Sequence, residues 1–272
     1  MKPVRSLRPI VKKVVPKAAR DRLRALLRKT PAAGIYTLEE DEFAQIQREV
    51  DRLDGKPWQD TARGRSTAGM DERVIEIPWV LSRYRGEKRV LDVGTAWSLP
   101  VYKRNLASRR IPELHGVDIT VKPVDGVTMT RADVRHLPYA AGSFDLIICI
   151  STLEHIGLDN AVYGTAGGQA EDGDVFALRE FSRVLARGGR VLITVPFGRR
   201  QRLDWLRQYD QAAWDELIAN TDLVVSEIAH YAYSDVRGWR RAFAPKLPAG
   251  DFQGKGASAA TGVLCAELTS PK

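Results

Sequence analysis

From residue 72 onward the chain alternates between two hydrophobic periods, and no other feature restricts its fold as much. Short apolar runs suited to strands fall at Arg89 to Val93, Glu113 to Ile119, Gly126 to Ala132, Phe144 to Ser151, Arg190 to Pro196, Leu223 to Tyr231 and Gly262 to Leu268. Helical periods lie between them, near Arg73 to Tyr84, Leu99 to Arg109, Val175 to Ala186 and Gln211 to Thr221. Strands separated by helices are the pattern of a parallel sheet covered on both faces. Seven strands are expected. The last two lack a helix between them, so an antiparallel excursion is expected at the sheet's edge.

The preceding residues read differently. Residues 1–29 contain eleven Lys and Arg against Asp21 alone, a net +10, whereas the remaining residues hold 31 bases and 33 acids, a net −2. The overall charge of +8 therefore belongs to one terminal segment, and the body is unlike a domain whose whole face tracks phosphates. Within that segment Ile10, Val11, Val14 and Val15, and after Pro16 Ala19, Leu23, Leu26 and Leu27, fall on one helical face. Two readings stand for it: attachment to an anionic membrane surface or acidic partner, or a helix covering the catalytic domain. An Arg-rich, acid-poor start also resembles an organelle transit peptide. Residues 30–70 read as a linker with an accessory helix near Leu38 to Leu53, and residues 71–272 as the main domain. No apolar stretch approaches the roughly 18 residues that cross a bilayer, and no secretory signal is evident. Two cysteines, Cys149 and Cys265, cannot build a disulfide framework, and a reducing cytoplasm is the simplest location, with peripheral attachment to the inner membrane face as a variant of it.

Chemistry-bearing residues gather at the ends of the expected strands. The first strand ends Val90-Leu91-Asp92-Val93-Gly94-Thr95 before a helix, a turn in which glycine lets a ligand approach the backbone. The second ends Gly116-Val117-Asp118-Ile119, placing an acid where it can accept both hydroxyls of a ribose. The third leads into Asp133-Val134, and the fourth into Ser151-Thr152-Leu153-Glu154-His155. The ordered set VLDVG, GVDI, ADVRHLPYAAGSFDLIICISTLEHI and FSRVLARGGRVLITVPFG resembles the class I S-adenosylmethionine-dependent methyltransferases over residues 88–232. The resemblance implies an α/β, Rossmann-like, seven-stranded and mostly parallel sheet with an antiparallel last strand. It also implies S-adenosylmethionine as cofactor. Asp92 and Gly94 would border its methionine part with Thr95 opening the same loop, Asp118 followed by Ile119 would hold the ribose, Asp133 with Val134 would meet the adenine, and Ser151 would lie near the sulfonium.

The chain departs from that family after Gly94, where Thr95-Ala96-Trp97-Ser98 replaces the usual glycine-rich loop. The missing GxGxxG turn also counts against a nicotinamide-dependent dehydrogenase. The position after the fourth strand lacks the Asn/Asp-Pro-Pro-aromatic motif of base-amino methylation, so no nucleic-acid substrate is expected. EHIGLDNAVYG, the acidic stretch after it and VPFG with Arg199 and Arg200 resemble the branch associated with bacterial sugar and polysaccharide biosynthesis. A sugar hydroxyl is therefore the expected acceptor. A small secondary metabolite or lipid hydroxyl is the alternative, and a non-catalytic cofactor-binding assembly module is a third reading.

Methyl transfer to oxygen needs alignment and a proton acceptor. His155 is the candidate catalytic base, against a purely structural role in its loop. Arg199 and Arg200 are candidates for gripping an anionic acceptor. Arg73, Glu76 and Trp79 form a set on the helix before the first strand that could close over the cofactor, although core burial suits Trp79 better. Asp159, Glu171, Asp172 and Asp174 lie on a Gly-rich loop and could hold Mg²⁺. Their irregular spacing favours a solvated lid, so no metal site is assigned.

Overall fold

The computed structural model describes residues 40–53, 67–159, 170–252 and 260–270. The chain divides into residues 1–36 and 37–272, and every described residue belongs to the second unit. The basic segment 1–29, with its expected attachment role, lies outside the described residues. So do parts of the linker and residues 160–169 of the acidic loop.

The sheet contains β1 (Arg89–Val93), β2 (Glu113–Asp118), β3 (Thr128–Arg131), β4 (Phe144–Ile150), β5 (Leu185–Pro196), β8 (Val224–Ser234), β9 (Gly238–Ala242) and β10 (Gly262–Thr269). Its order is β3-β2-β1-β4-β5-β10-β8-β9. The first five strands pair in parallel, and β10 runs antiparallel to both β5 and β8. Among the described residues the sheet thus has eight strands, one more than expected. The addition is β9, which pairs antiparallel with β8 at the edge. Its sequence, GWRRA, lacks apolar alternation, and the reversal depends on Gly238 at φ +67°. Tertiary contacts hold it: the Trp239 backbone N–H donates to Thr67 Oγ1 at 2.7 Å and its indole N–H to the Met70 carbonyl at 3.1 Å.

Helices cover both faces because successive strand residues point to opposite sides. Leu91, Val93, Ile147 and Cys149 pack with α4 (Gly173–Val184) and α5 (Gln211–Ala219). Val90, Leu146, Ile148 and Cys265 pack on the other face with α1 (Glu40–Leu53), α2 (Arg73–Leu81) and α3 (Pro100–Ser108). The accessory helix α1 therefore shares the core: Ile46 and Val50 are buried with Ile75 and Trp79, and Glu42 accepts the Asp71 backbone N–H at 2.9 Å. Cys149 and Cys265 are free, buried thiols on opposite faces. No helix among the described residues is long and apolar enough to cross a membrane.

A short antiparallel ribbon, β6 (Gln201–Arg202) and β7 (Arg207–Gln208), follows β5. Strands this short leave no period to read in a sequence, yet the turn between them carries Trp205 to the site.

Candidate active site

At the end of β1 the chain turns through Gly94, whose φ of +81° few side chains tolerate. A 3₁₀ turn, Thr95–Trp97, follows, and α3 then starts with Pro100 in its first turn, where no backbone donor is missed. The space a Cβ would need at Gly94 is taken by the Thr152 side chain, so the close approach this glycine permits is made by the chain itself. Thr95, fully buried, donates its hydroxyl to the Asp92 carbonyl at 2.7 Å. Gly94→Ala is expected to lower stability by roughly 1–3 kcal/mol through backbone strain. A urea midpoint equal to that of the native chain would show that the turn can be rebuilt without the glycine.

Asp92 is buried, and its Oδ1 accepts the Tyr102 hydroxyl at 2.6 Å. Its Oδ2 is also buried and meets no hydrogen-bond partner. Burial pushes the carboxyl up to about 6, against the hydrogen bond from Tyr102. Asp118, across the parallel pairing at the end of β2, accepts the Ala96 N–H at 3.2 Å and the Thr120 N–H at 3.0 Å. Its carboxyl is likewise raised by burial, an effect that those backbone donors oppose. Asp118 thereby ties the loop after β1 to the end of β2. Ile119 beside it is half-buried, and the Lys122 ammonium lies 3.1 Å from the centre of the Trp97 ring. Asp133 is held by Arg135, with Nη2 to Oδ2 at 2.6 Å; burial raises its carboxyl, but the Arg135 hydrogen bonds outweigh this and lower it. Val134 is buried in the core.

The end of β4 meets the start of α2. Ser151 has φ +40°, an uncommon value for a residue with a Cβ. Its hydroxyl donates to Glu76 Oε1 at 2.7 Å and accepts from Arg73 Nη1 at 2.7 Å, while Arg73 also pairs with Glu76 Oε2 and, at 3.4 Å, with Glu72. Arg73, Glu76 and Ser151 are therefore one network, whereas Trp79 is fully buried in the core. Glu154 and His155 follow in a 3₁₀ turn, Leu153–His155. The His155 ring stacks on Trp205 at 5.3 Å, and its Nδ1 lies 2.7 Å from the Trp205 carbonyl. A carbonyl only accepts, so Nδ1 carries the proton and Nε2 the lone pair. Burial holds the imidazole down to about 4, leaving it neutral near pH 7. Glu72, Tyr102 and Trp205 escape a sequence reading because no motif links them to the strand ends. Trp205 reaches His155 only through the turn between β6 and β7.

Arg199 and Arg200 diverge despite being consecutive. Arg199 pairs with Asp251, at 2.6 Å through Nε, and Arg200 with Glu216 at 3.3 Å. Arg200 lines a cleft of about 560 Å³ with Arg179, Arg202, Arg207 and Phe176, while Arg199 lies outside it. Four acids, Glu171, Asp172, Asp174 and Glu216, balance the arginines there. Asp174 accepts the Tyr209 hydroxyl at 2.8 Å. Among the described residues no three His, Cys, Asp or Glu side chains gather in a metal-holding arrangement.

Residues 91–193 match a family described as a methyltransferase domain. Among solved structures the chain is similar to the cyclase SpnF, at 15% identity, with 84% of this chain and 93% of that chain covered and a TM-score of 0.50. It also resembles 1,6-didemethyltoxoflavin-N1-methyltransferase of Burkholderia thailandensis, solved with S-adenosylhomocysteine, at 15% identity, 100% and 93% coverage and a TM-score of 0.48. YcgJ of Bacillus subtilis matches at 16% identity, 72% and 99% coverage and 0.46. At 15% identity the likeness to SpnF speaks to fold and not to reaction. Residues 91–193 thus match a methyltransferase-domain family, in a chain whose described residues build the Rossmann-like methyltransferase fold.

Proposed function

We propose that the chain binds S-adenosylmethionine at the carboxyl ends of β1, β2 and β4 and methylates an oxygen of a sugar or glycan intermediate. The observation that carries this reading is the placement of Asp92, Asp118 and Ser151 on adjacent strand ends of the matched domain, the crevice where open α/β sheets bind ligands. The residues fit such a cofactor. Asp92 offers a buried carboxylate oxygen that lacks a donor, and each Asp118 oxygen has a lone pair left after its backbone hydrogen bond. Gly94, Thr95 and Ile119 would complete the wall around the methionine and ribose, with Asp133 and Val134 at the adenine end. The chemistry supplied by that cofactor is an electrophilic methyl group open to in-line displacement.

The chain's own task is to orient the acceptor oxygen and take its proton. His155 suits the second part: it is neutral, and the Trp205 carbonyl fixes its tautomer so that Nε2 bears the lone pair. His155→Ala should lower turnover by about 10² or more, with affinity for S-adenosylhomocysteine nearly unchanged. Because burial keeps the imidazole near 4, the acid limb that His155 imposes on turnover should fall well below pH 6.5. Normal turnover in the variant would return His155 to a structural role beside Trp205.

The preference for a sugar rests on the resemblance of residues 150–210 to the polysaccharide-associated branch. Arg200 supports an anionic group on the acceptor, being the member of the arginine pair that lines the cleft. Residues 1–29, 30–70 and 71–272 are proposed as an attachment segment for an anionic membrane surface, a linker with accessory helix, and the catalytic domain. Calorimetry of the full chain with S-adenosylhomocysteine tests the cofactor. Transfer of labelled methyl groups to sugars and nucleotide sugars tests the acceptor. No binding in the first experiment would remove the methyltransferase reading.

A further inference from the structure

β9 is the outermost strand of its sheet edge, and the turns on either side of it put apolar side chains into solvent. Val236, between β8 and β9, is 85% exposed, and Phe243, just past β9, is 66% exposed; no other large apolar residue among the described ones is as exposed. Single exposed apolar residues are common, so the charge around these two is what sets them apart. Residues 234–246 hold Arg237, Arg240, Arg241 and Lys246 against Asp235 alone, a net +3, whereas residues 30–272 together carry −2. Tertiary contacts fix the hairpin in place. A Cβ at Gly238 would collide with Thr67, the Trp239 N–H donates to Thr67 Oγ1, and the Tyr233 hydroxyl accepts the Gly69 N–H at 2.7 Å. Arg241 donates to the Tyr231 hydroxyl at 3.3 Å, and its guanidinium lies 5.5 Å from the centre of the Phe243 ring. Since β5 and β8 both run antiparallel to β10, β8 runs with the parallel strands. The turn at Val236 therefore stands at the end of the sheet where Asp92 and Ser151 stand.

We infer that the β8–β9 hairpin docks on an anionic lipid surface, with Val236 and Phe243 entering the headgroup layer and the basic side chains facing the lipid's negative groups. The charge excludes a second copy of the chain as the occupant, because pairing β9 with β9 would set four bases against four. A folded protein covers so exposed a turn only with a pocket shaped to it. Lipid headgroups close around such a turn, and the membrane interface takes an apolar tip and a basic flank together. The negative potential of an anionic leaflet attracts each base within about a Debye length and adds to the burial of the two apolar side chains. Docking through the turn at Val236 brings the carboxyl ends of the parallel strands to that surface. The inference needs nothing from residues 1–29, whose proposed attachment rests on separate grounds.

The test sediments the full chain with vesicles of phosphatidylcholine, alone or with about 30% phosphatidylserine, in about 0.1 M salt. The native chain should partition at least about tenfold more strongly onto the anionic vesicles. Two double variants probe the hairpin: Arg237→Glu with Lys246→Glu, and Val236→Ser with Phe243→Ser. All four positions are exposed, so both variants should keep the native melting temperature. The first should bind anionic vesicles at least about tenfold more weakly and the second at least about fivefold. Lys88→Glu with Arg187→Glu makes the same change in net charge at exposed positions near the starts of β1 and β5, and should cost less than about twofold. Amide exchange over residues 235–246 should slow when anionic vesicles are added. Native binding by both hairpin variants would leave attachment to residues 1–29 alone and overturns the inference. Native binding by the apolar variant only would reduce the contact to the loose attraction that an acidic protein also exerts, and overturns it too. So do absence of vesicle binding, equal binding to neutral vesicles, unchanged exchange over residues 235–246, and an equal loss in the Lys88 and Arg187 variant.

Discussion

Asp118→Ala should bind S-adenosylhomocysteine at least about 10²-fold more weakly than the native chain. A carboxylate that accepts two ribose hydroxyls makes two charge-assisted hydrogen bonds, each worth roughly 1.5–3 kcal/mol. Together these correspond to about 10²- to 10⁴-fold in affinity. Asp118 has a second task, because its oxygens also receive the Ala96 and Thr120 N–H groups and hold the loop after β1 in place. Truncation therefore removes both the ribose acceptor and a brace for the cofactor wall. Asp118→Asn separates the two effects, since it keeps one acceptor oxygen and loses the charge, and it should fall between alanine and the native chain. Calorimetry for affinity, with a thermal melt for the brace, distinguishes them. An alanine variant of native affinity would take Asp118 out of the site.

Arg190→Met should be the most destabilising single change at the opposite, amino-terminal end of the parallel strands. Arg190 is buried and bonds Glu267 Oε2 at 2.8 Å, the Arg83 carbonyl at 2.9 Å and the Glu87 carboxylate. Glu267 also pairs with Arg85 at 3.1 Å, and Arg83 with Glu227, so the group is a network and not one pair. Removing one partner of a buried ion pair leaves the other uncompensated, at a cost of about 3–5 kcal/mol. For a domain of this size that corresponds to a melting temperature lower by roughly 6–20 °C. Differential scanning calorimetry checks it. A loss below about 1 kcal/mol would place the network with exposed ion pairs, which contribute little.

The features legible in the sequence are those fixed by neighbouring residues. β1, β2 and β4 show as apolar runs because they are buried on both faces. The turn after β1 shows because Gly94 and Pro100 meet backbone requirements that belong to those positions alone. The order VLDVG, GVDI, ADVRHLPY and STLEHI therefore announced the fold and the strand ends where its acids stand. β9 did not show, because GWRRA gains its place from Thr67 and Met70, more than 160 residues away.

The same division runs through the site. Asp92, Asp118, Ser151 and His155 could be placed from the sequence, since each stands at or a few residues past the end of a strand. Their partners could not. Trp205 fixes the tautomer of His155 from a ribbon with two-residue strands, and Arg199 and Arg200, adjacent in the chain, leave for Asp251 and Glu216. The acids around Arg73 come from residues 71–76 and 154, a separation of about eighty positions with no motif across it. Sequence alone determined the parallel strands, the helices between them and where those strands end, because hydrophobic period and turn chemistry act over a few residues. Tertiary structure alone decided which charges share a buried space, because burial and pairing depend on elements that meet only after the sheet has assembled.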